Sequence, residues 1–171
     1  MTSAANHGES LLDRFRLDGC VAVVTGSGRG IGRGIALGMA EAGADVVVTA
    51  RRTEEIDHVV GEIESCGRRA IGVPGDITDS AFIGRLVAAA VDQLGRLDVW
   101  VSNAGGSEHK GTFEVLDMPE EHWDAQLALN LRPHFIAAKA CAPVMQPGSS
   151  LIGISSTSAL NPSPRFAAYG V

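Results

Sequence analysis

The feature that most constrains the fold of this chain is a regular alternation between short apolar runs and longer segments with helical periodicity. Runs such as "CVAVVTG" and "LDVWVSNAG" are nearly continuous in hydrophobic residues, and most of them end in Gly, Asn, Asp or Ser. Such runs are typical of strands buried on both faces, and helices between them imply parallel pairing with right-handed crossovers. The sequence therefore predicts an α/β fold with a doubly wound, mostly parallel, Rossmann-like sheet. The predicted strands cover residues 20–26, 45–50, 69–76, 97–105 and 150–156, and the predicted helices cover residues 31–44, 53–65, 79–94 and 119–145, with Gly43, Gly67 and Gly95 ending the first three.

Composition and charge exclude several classes of protein. The 171 residues suit one domain, and the formal net charge of −6 offers no basic surface to nucleic acid or to an anionic membrane. Cys20, Cys66 and Cys141 are odd in number and widely spaced, so neither a disulfide framework nor a metal site is indicated. The amino-terminal stretch carries charges where a signal peptide needs an apolar run, and no segment is apolar for long enough to cross a membrane. We therefore expect a cytoplasmic protein.

The segment "VVTGSGRGIGRGIA" lies where the first strand turns into the first helix. The common pattern G-x-G-x-x-G fits no register here, but T-G-x-x-x-G-x-G fits on Thr25, Gly26, Gly30 and Gly32. In this spacing the segment resembles the nucleotide-binding loop of the short-chain dehydrogenase/reductase family. Backbone N–H groups and a helix N-terminus at such a turn can bind a pyrophosphate, and the alternative is a tight turn with close helix–strand packing. The resemblance implies that Ile31 also contacts the cofactor.

The end of the second strand bears on the choice between NAD and NADP. An acidic residue there would bind the ribose hydroxyls of NAD, but this chain has Ala50 followed by Arg51 and Arg52. Guanidinium groups bind a 2′-phosphate well, and Arg29 in the glycine loop lies within reach of the same place. In the resembled family, basic residues at these positions accompany NADP. The sequence therefore favours NADP over NAD, and the alternative is that the arginines are ordinary solvated residues.

Two further fragments resemble the family. Asp76 and Ile77 in "GDIT" follow the third strand, where the family's Asp holds the adenine ring, although a helix cap is the alternative and Thr78 or Asp79 competes for that role. "SNAG" at residues 102–105 resembles the family's N-N-A-G, with its second Asn retained as Asn103. The resemblance implies that Asn103 braces the sheet and that Ala104 and Gly105 let the nicotinamide ribose approach the backbone. These two fragments therefore add Asp76, Ile77, Asn103, Ala104 and Gly105 to the residues expected to bind the cofactor.

Hydride transfer between a nicotinamide and a carbonyl or alcohol carbon requires a positioned acid/base for the oxygen. In the resembled family this is the Tyr of Y-x-x-x-K, with a Ser thirteen residues earlier and an Asn on the long helix. Tyr169, Ser156 and Asn130 match those positions. The resemblance implies that Ser156 binds the substrate oxygen, Tyr169 exchanges the proton and Asn130 holds a water of the relay.

Each of these residues also has a structural explanation. Ser156 ends a predicted strand, where a hydroxyl often satisfies nearby backbone, and Asn130 could be a solvated helix residue. Pro133 favours the relay, because it removes a helical hydrogen bond to Leu129 and opens the helix beside Asn130. We therefore expect a kink there. The five histidines form no metal-ligand spacing, and His109 with Lys110 could line the substrate mouth or lie on the surface.

The lysine of Y-x-x-x-K would stand at position 173, and the sequence printed here has 171 residues. We therefore expect residues 1–17 to be a flexible tail and residues 18–171 to be an NAD(P)-binding Rossmann domain without its carboxyl-terminal part. Such a fragment would lack the cation that favours the tyrosine phenolate, and its last strand would be an exposed edge. We expect it to be inactive by itself and prone to aggregate.

Three functions are compatible with these residues. The favoured one is an NADP-dependent oxidoreductase of a ketone or secondary alcohol, similar to 3-oxoacyl or steroid reductases, whose full-length form is a homodimer or homotetramer. The second is a non-catalytic dinucleotide-binding or regulatory protein. The third is another nucleotide-binding Rossmann domain, such as that of a sugar epimerase. The sequence does not define the substrate.

Overall fold

A computed structural model describes residues 11–107, 113–161 and 164–170 of the chain. Its centre is a five-stranded parallel sheet in the order β3-β2-β1-β4-β5. This order reverses between β1 and β4, so the predicted doubly wound α/β architecture is confirmed. The strands are β1 (Val21–Thr25), β2 (Asp45–Thr49), β3 (Ala70–Gly72), β4 (Val99–Ser102) and β5 (Ser150–Gly153).

Helices cover both faces of the sheet. Asp79 starts α3, where its carboxylate accepts a hydrogen bond from the N–H of Ala81 at 2.9 Å. A π-helical turn at Ala90–Leu94 extends the same helix to Gly95, which has a φ angle of 94°. The helices are α1 (Gly30–Glu41), α2 (Thr53–Ser65), α3 (Ser80–Ala89), α4 (Glu120–Asn130) and α5 (Arg132–Cys141).

Alternate residues of β1 point into two separate hydrophobic cores. Ala22 and Val24 pack in one core with the side chains of α1 and α2. Val21 and Val23 pack in the other, which contains Trp100 and the apolar face of α3 and α5. Every residue of β1 is buried, which explains why this strand is continuously hydrophobic in the sequence.

The prediction of a single long helix over residues 119–145 was wrong, because the structure divides this segment into α4 and α5. Helix α4 ends at Asn130. Pro133 has no N–H for the carbonyl of Leu129, and the N–H of His134 donates to the carbonyl of Leu131 at 3.1 Å. The kink expected beside Asn130 because of Pro133 is therefore present, and it takes the form of a break between two helices.

Two strands differ from a simple apolar run. β3 ends at Gly72, well before the predicted end at residue 76, although the N–H groups of Val73 and Gly75 still donate to the carbonyls of Val48 and Ala50 at 2.9 and 3.0 Å. β5 is exposed along its whole length, with Leu151 at 47% and Ile152 at 41% exposure. This agrees with the expected exposed edge at residues 150–156.

The amino-terminal segment contacts the end of α1 before β1 begins. Leu11–Phe15 form a 3-10 helix, and the N–H of Leu17 donates to the carbonyl of Ala42 at 2.8 Å. Residues 1–10 lie outside the described part, so the predicted division at residue 17 stays a prediction. Within the described ranges, the helices are too short or too polar to cross a membrane.

Candidate active site

The carboxyl ends of the strands border a cavity of about 1170 Å³. Residues after β1 and after β4 line it, and these are the strands between which the sheet order reverses, where open α/β sheets bind ligands. The cavity brings together every residue that the sequence assigned to cofactor binding or catalysis. They are Thr25, Gly26, Arg29, Gly30, Ile31, Gly32, Arg51, Arg52, Asp76, Ile77, Asn103, Ala104, Gly105, Asn130, Ser156 and Tyr169.

The loop between β1 and α1 leaves room for a ligand close to the backbone. Gly26 and Gly30 have φ angles of 66° and 56°, in the left-handed region that favours glycine. At Gly32 a methyl group would overlap the carbonyl oxygen of Gly26 and the amide of Asn103. The side chain of Arg29 makes no capping hydrogen bond to the N-terminus of α1. This loop therefore fits a phosphate group, which backbone N–H groups would bind.

Thr25 and Asn103 join the ends of β1 and β4 beneath the cavity. The Thr25 hydroxyl oxygen accepts hydrogen bonds from the backbone N–H groups of Asn103 at 2.9 Å and Ala104 at 3.0 Å. The side-chain amide of Asn103 donates to the carbonyl of Thr25 at 2.9 Å. Asn103 thus braces the sheet, as the sequence indicated, and Thr25 holds the "NAG" backbone in place.

Asp76 lies at the end of the cavity beyond β3. Its carboxylate accepts hydrogen bonds from the backbone N–H of Thr78 at 2.9 Å and from the Thr78 hydroxyl at 2.8 Å. These two bonds lower the pKa of the Asp76 carboxyl, and the positive charge of Arg51 lowers it further. Since Asp79 caps α3, Asp76 is left to face the cavity as an ionised acceptor.

Positive charge follows β2 at the same side of the cavity. Arg51, Arg52 and Arg29 all line it. Arg52 forms an ion pair with Glu55, a residue of the first turn of α2 that also lines the cavity. Sequence reasoning missed Glu55, because opposite charges three residues apart are common on solvated helices.

Asn130 is fixed by hydrogen bonds on both ends of its side-chain amide. Its Oδ1 accepts from the N–H of Gly106 at 2.8 Å, and its Nδ2 donates to the carbonyl of Gly106 at 3.1 Å. Nδ2 also donates to Oε1 of Gln126 at 2.9 Å, and Gln126 is only 1% exposed. Asn130 therefore joins the helix break to the loop after β4, and Gln126 is a partner that its sequence position did not reveal.

Ser156 and Tyr169 approach the cavity from two short turns that touch. Oγ of Ser156 accepts a hydrogen bond from the N–H of Ser158 at 3.2 Å and so caps the 3-10 helix Thr157–Ala159. The backbone of Gly170 lies against the carbonyl of Ser158, since an added Cβ would come within 2.8 Å of that oxygen. The half-buried Tyr169 is therefore held near the Ser156 turn, and both side chains border the same space as the glycine loop.

The sequence of residues 20–171 matches the family model described as short chain dehydrogenase. The chain belongs to the short-chain dehydrogenase family. The match covers all five strands and every residue that lines the cavity.

Individual short-chain dehydrogenases resemble the chain at moderate identity. An uncharacterized oxidoreductase of Mycobacterium tuberculosis is 39% identical over 163 residues, which are 94% of this chain and 61% of that protein. The structure of a 7α-hydroxysteroid dehydrogenase complexed with NADH and 7-oxo glycochenodeoxycholic acid has 34% identity and a TM-score of 0.87, covering 95% of this chain and 63% of that one. A short chain dehydrogenase from Burkholderia cenocepacia in complex with NADP has 34% identity and a TM-score of 0.84, covering 91% and 63%. The chain thus spans about three fifths of the length of these relatives.

Other cavity residues were not singled out from the sequence of this short-chain dehydrogenase. His134 also lines the cavity, with its ring over Gly153 of β5, where an added Cβ would come within 3.1 Å of Nδ1. A glycine within a strand can indicate that a ring packs against it, but hydrophobic periodicity alone does not identify which ring. His109 and Lys110, the predicted candidates for the substrate mouth, lie outside the described residues. Among the described residues, no group of His, Cys, Asp or Glu side chains is arranged to hold a metal ion.

Proposed function

We propose that this short-chain dehydrogenase transfers a hydride between NADP(H) and a small-molecule ketone or secondary alcohol. The observation that carries the proposal is the single cavity shared by the glycine loop and by Asn130, Ser156 and Tyr169. A dinucleotide whose phosphates lie on the loop would extend along the strand ends towards these three side chains. Relatives described as oxidoreductases and as a hydroxysteroid dehydrogenase support the same class of reaction.

Each residue of the site would have a separate role in the reaction. The nicotinamide, when bound, supplies or accepts the hydride. Ser156 would donate a hydrogen bond to the substrate oxygen, because its Oγ already accepts one from Ser158 and still carries its own proton. Tyr169 would give or take the proton of that oxygen, and Asn130, rigidly held by Gly106 and Gln126, would position the relay.

Preference for NADP rests on the charges beside β2. Arg29, Arg51 and Arg52 face the cavity, and Ala50 replaces the acidic residue that would bind the ribose of NAD. Guanidinium groups bind a phosphate with charge-assisted hydrogen bonds. Solved relatives contain NADH in one case and NADP in another, so both nucleotides occur among proteins of this similarity.

Nucleotide titration and a carbonyl screen test this function. The 171-residue chain is titrated with NADPH and NADH, and tighter binding of NADPH is expected. Turnover is measured in the longest chain that the gene encodes, because the 171 residues span three fifths of their relatives and we expect them to bind nucleotide without turnover. Absence of nucleotide binding by folded protein would overturn the proposal, and binding without turnover in the long chain would favour a non-catalytic nucleotide-binding protein.

Single substitutions then separate binding from chemistry. Tyr169→Phe is expected to lower kcat by about a hundredfold or more, because it removes the proton donor without changing the ring. Thr157→Val in the neighbouring turn, outside the cavity, is the matched control and should keep both turnover and nucleotide affinity. A Tyr169→Phe enzyme with control-like turnover would exclude Tyr169 as the acid/base.

We also propose that the whole protein is a cytoplasmic homodimer or homotetramer. Apolar side chains at the break between α4 and α5 and on α5 support an assembly, since Leu131 and Phe135 are 53% and 66% exposed. Analytical ultracentrifugation of the long chain measures the oligomeric state directly, and a monomer at micromolar concentration would contradict the proposal.

A further inference from the structure

Glu55 is an acidic side chain in the part of the cavity that follows β2, where three arginines also lie. It belongs to the first turn of α2 and lines the cavity with Arg29, Arg51 and Arg52. Its carboxylate is paired with the guanidinium of Arg52. The side chain of Glu55 is 25% exposed and that of Arg52 is 61% exposed, so the carboxylate is the more enclosed member of the pair.

The backbone of the glycine loop lies close to Glu55 at Gly28. A Cβ added to Gly28 would lie 2.9 Å from Cβ of Glu55 and 3.2 Å from its Oε2. The same added Cβ would lie 2.9 Å from Cβ of Ala50, the residue that follows β2. The carboxylate is therefore packed between the loop expected to bind phosphate and the strand end expected to bind the adenosine ribose.

This position gives Glu55 two effects on a 2′-phosphate. Its negative charge repels the phosphate, which carries charge of the same sign at short range. It also occupies Arg52, so a phosphate must compete with a carboxylate for that guanidinium. Neither effect applies to a ribose with a free 2′-hydroxyl, which carries no charge and can donate a hydrogen bond to a carboxylate.

We propose that Glu55 is a specificity-determining residue that weakens the preference for NADP over NAD by competing with the 2′-phosphate for Arg52. The proposal rests on the proposed nucleotide-binding function and adds the residue that sets its selectivity. Arg29 and Arg51 supply the attraction to the phosphate, and Glu55 limits it.

Two nucleotide fragments test this inference without any catalytic turnover. 2′,5′-ADP carries the 2′-phosphate and 5′-AMP lacks it, and both are titrated by calorimetry into the 171-residue chain. Glu55→Gln is expected to tighten 2′,5′-ADP by about five-fold, because one repulsive charge is removed and Arg52 is released. Its affinity for 5′-AMP should fall or stay the same.

Glu54→Gln is the matched control. Glu54 is the neighbouring residue of the same helical turn, is exposed and does not line the cavity, so the substitution removes the same charge from the same helix end. Glu54→Gln should leave the ratio of the two affinities close to that of the unmodified chain. Circular dichroism of each variant establishes that it is folded.

The outcomes separate this inference from the proposed function. If the folded, unmodified chain binds neither fragment, the proposed function fails and the inference fails with it. If the chain binds them but Glu55→Gln and Glu54→Gln have the same affinity ratio, only the inference is overturned. Weaker binding of 2′,5′-ADP by Glu55→Gln would also overturn it, because Glu55 would then position Arg52 for the phosphate.

Discussion

At the scale of single residues, Gly32 has the least space for a side chain among the glycines of the loop between β1 and α1. It is buried in the first turn of α1, against the carbonyl of Gly26 and the side-chain amide of Asn103. Those groups belong to the ends of β1 and β4, so a side chain at position 32 would push α1 away from both strands. Gly34 lies in the same helix with open space where its Cβ would be.

Gly32→Ala is expected to weaken nucleotide binding and to lower the free energy of unfolding by about 1–3 kcal/mol, because the added methyl group overpacks the site. Gly34→Ala adds the same methyl group where nothing opposes it. That variant should keep nucleotide affinity and gain up to about 1 kcal/mol from the better helix former. NADPH titration and urea unfolding measure the two effects, and equal behaviour of the variants would contradict the close packing at Gly32.

The residues that line the cavity could be predicted from the sequence, but most contacts between them could not. Motif spacing located Thr25, Asn130 and Tyr169, because strand ends and loops in a parallel sheet converge on one edge. Gln126 escaped detection because the sequence of α4 has no clear apolar face that would mark a position as buried. Glu55 escaped because a local ion pair looks the same in sequence whether it faces a cavity or water.

At the scale of elements, Asp45 connects the start of β2 to the chain entering β3. Its carboxylate accepts hydrogen bonds from the backbone N–H of Arg69 at 3.0 Å, from Nε of Arg69 at 2.7 Å and from Arg68 at 2.9 Å. Burial alone would raise the pKa of the Asp45 carboxyl, but these bonds and the two positive charges outweigh burial and lower it. The ionised carboxylate therefore stabilises this side of the sheet.

Asp45→Asn is expected to lower the free energy of unfolding at pH 7 by about 1–3 kcal/mol, because two arginines lose a buried anionic partner. The pKa of Asp45 is lower in the folded chain than the ordinary value of about 3.9, so its contribution is fully present above that pH. It is lost as the pH falls through the folded-state pKa, and the difference between the two proteins should shrink there. Urea unfolding at several pH values measures this, with Asp57→Asn on the exposed face of α2 as the control.

The elements follow the sequence pattern wherever a buried strand or an amphipathic helix dominates it. β1 and β2 lie within the predicted runs, and α2 has the predicted bounds. The pattern failed where one proline decides the backbone, since Pro133 separates α4 from α5. Periodicity reports which face of a segment is buried, and it is insensitive to the loss of a single N–H donor.

At the scale of the whole molecule, the strands of the sheet differ in how far they are buried. β1 and β2 are buried on both faces, whereas every residue of β5 is exposed. In the described structure β5 pairs with β4 along one edge, and its successive residues Leu151 and Ile152 present exposed apolar side chains on opposite faces. An exposed apolar edge of this kind favours pairing with other chains.

Ile152→Lys is expected to reduce self-association of the 171-residue chain, because a charged side chain on an edge strand opposes strand pairing between molecules. Gly61→Lys on the exposed surface of α2 makes the same change in net charge and is the control. Light scattering at increasing concentration measures the effect. Equal scattering by the two variants would show that β5 does not drive association.

The positions of the strands along the chain also determine when the site can form during synthesis. β1, β2 and β3 are adjacent in the sheet and are all made before residue 73, so the growing chain contains three of the five strands early. The cavity, however, needs the loop after β4, the break after Asn130 and the turn at Ser156. A ribosome-bound chain would thus have its glycine loop long before the cavity is closed, and the complete cavity would form only near the end of translation of these residues.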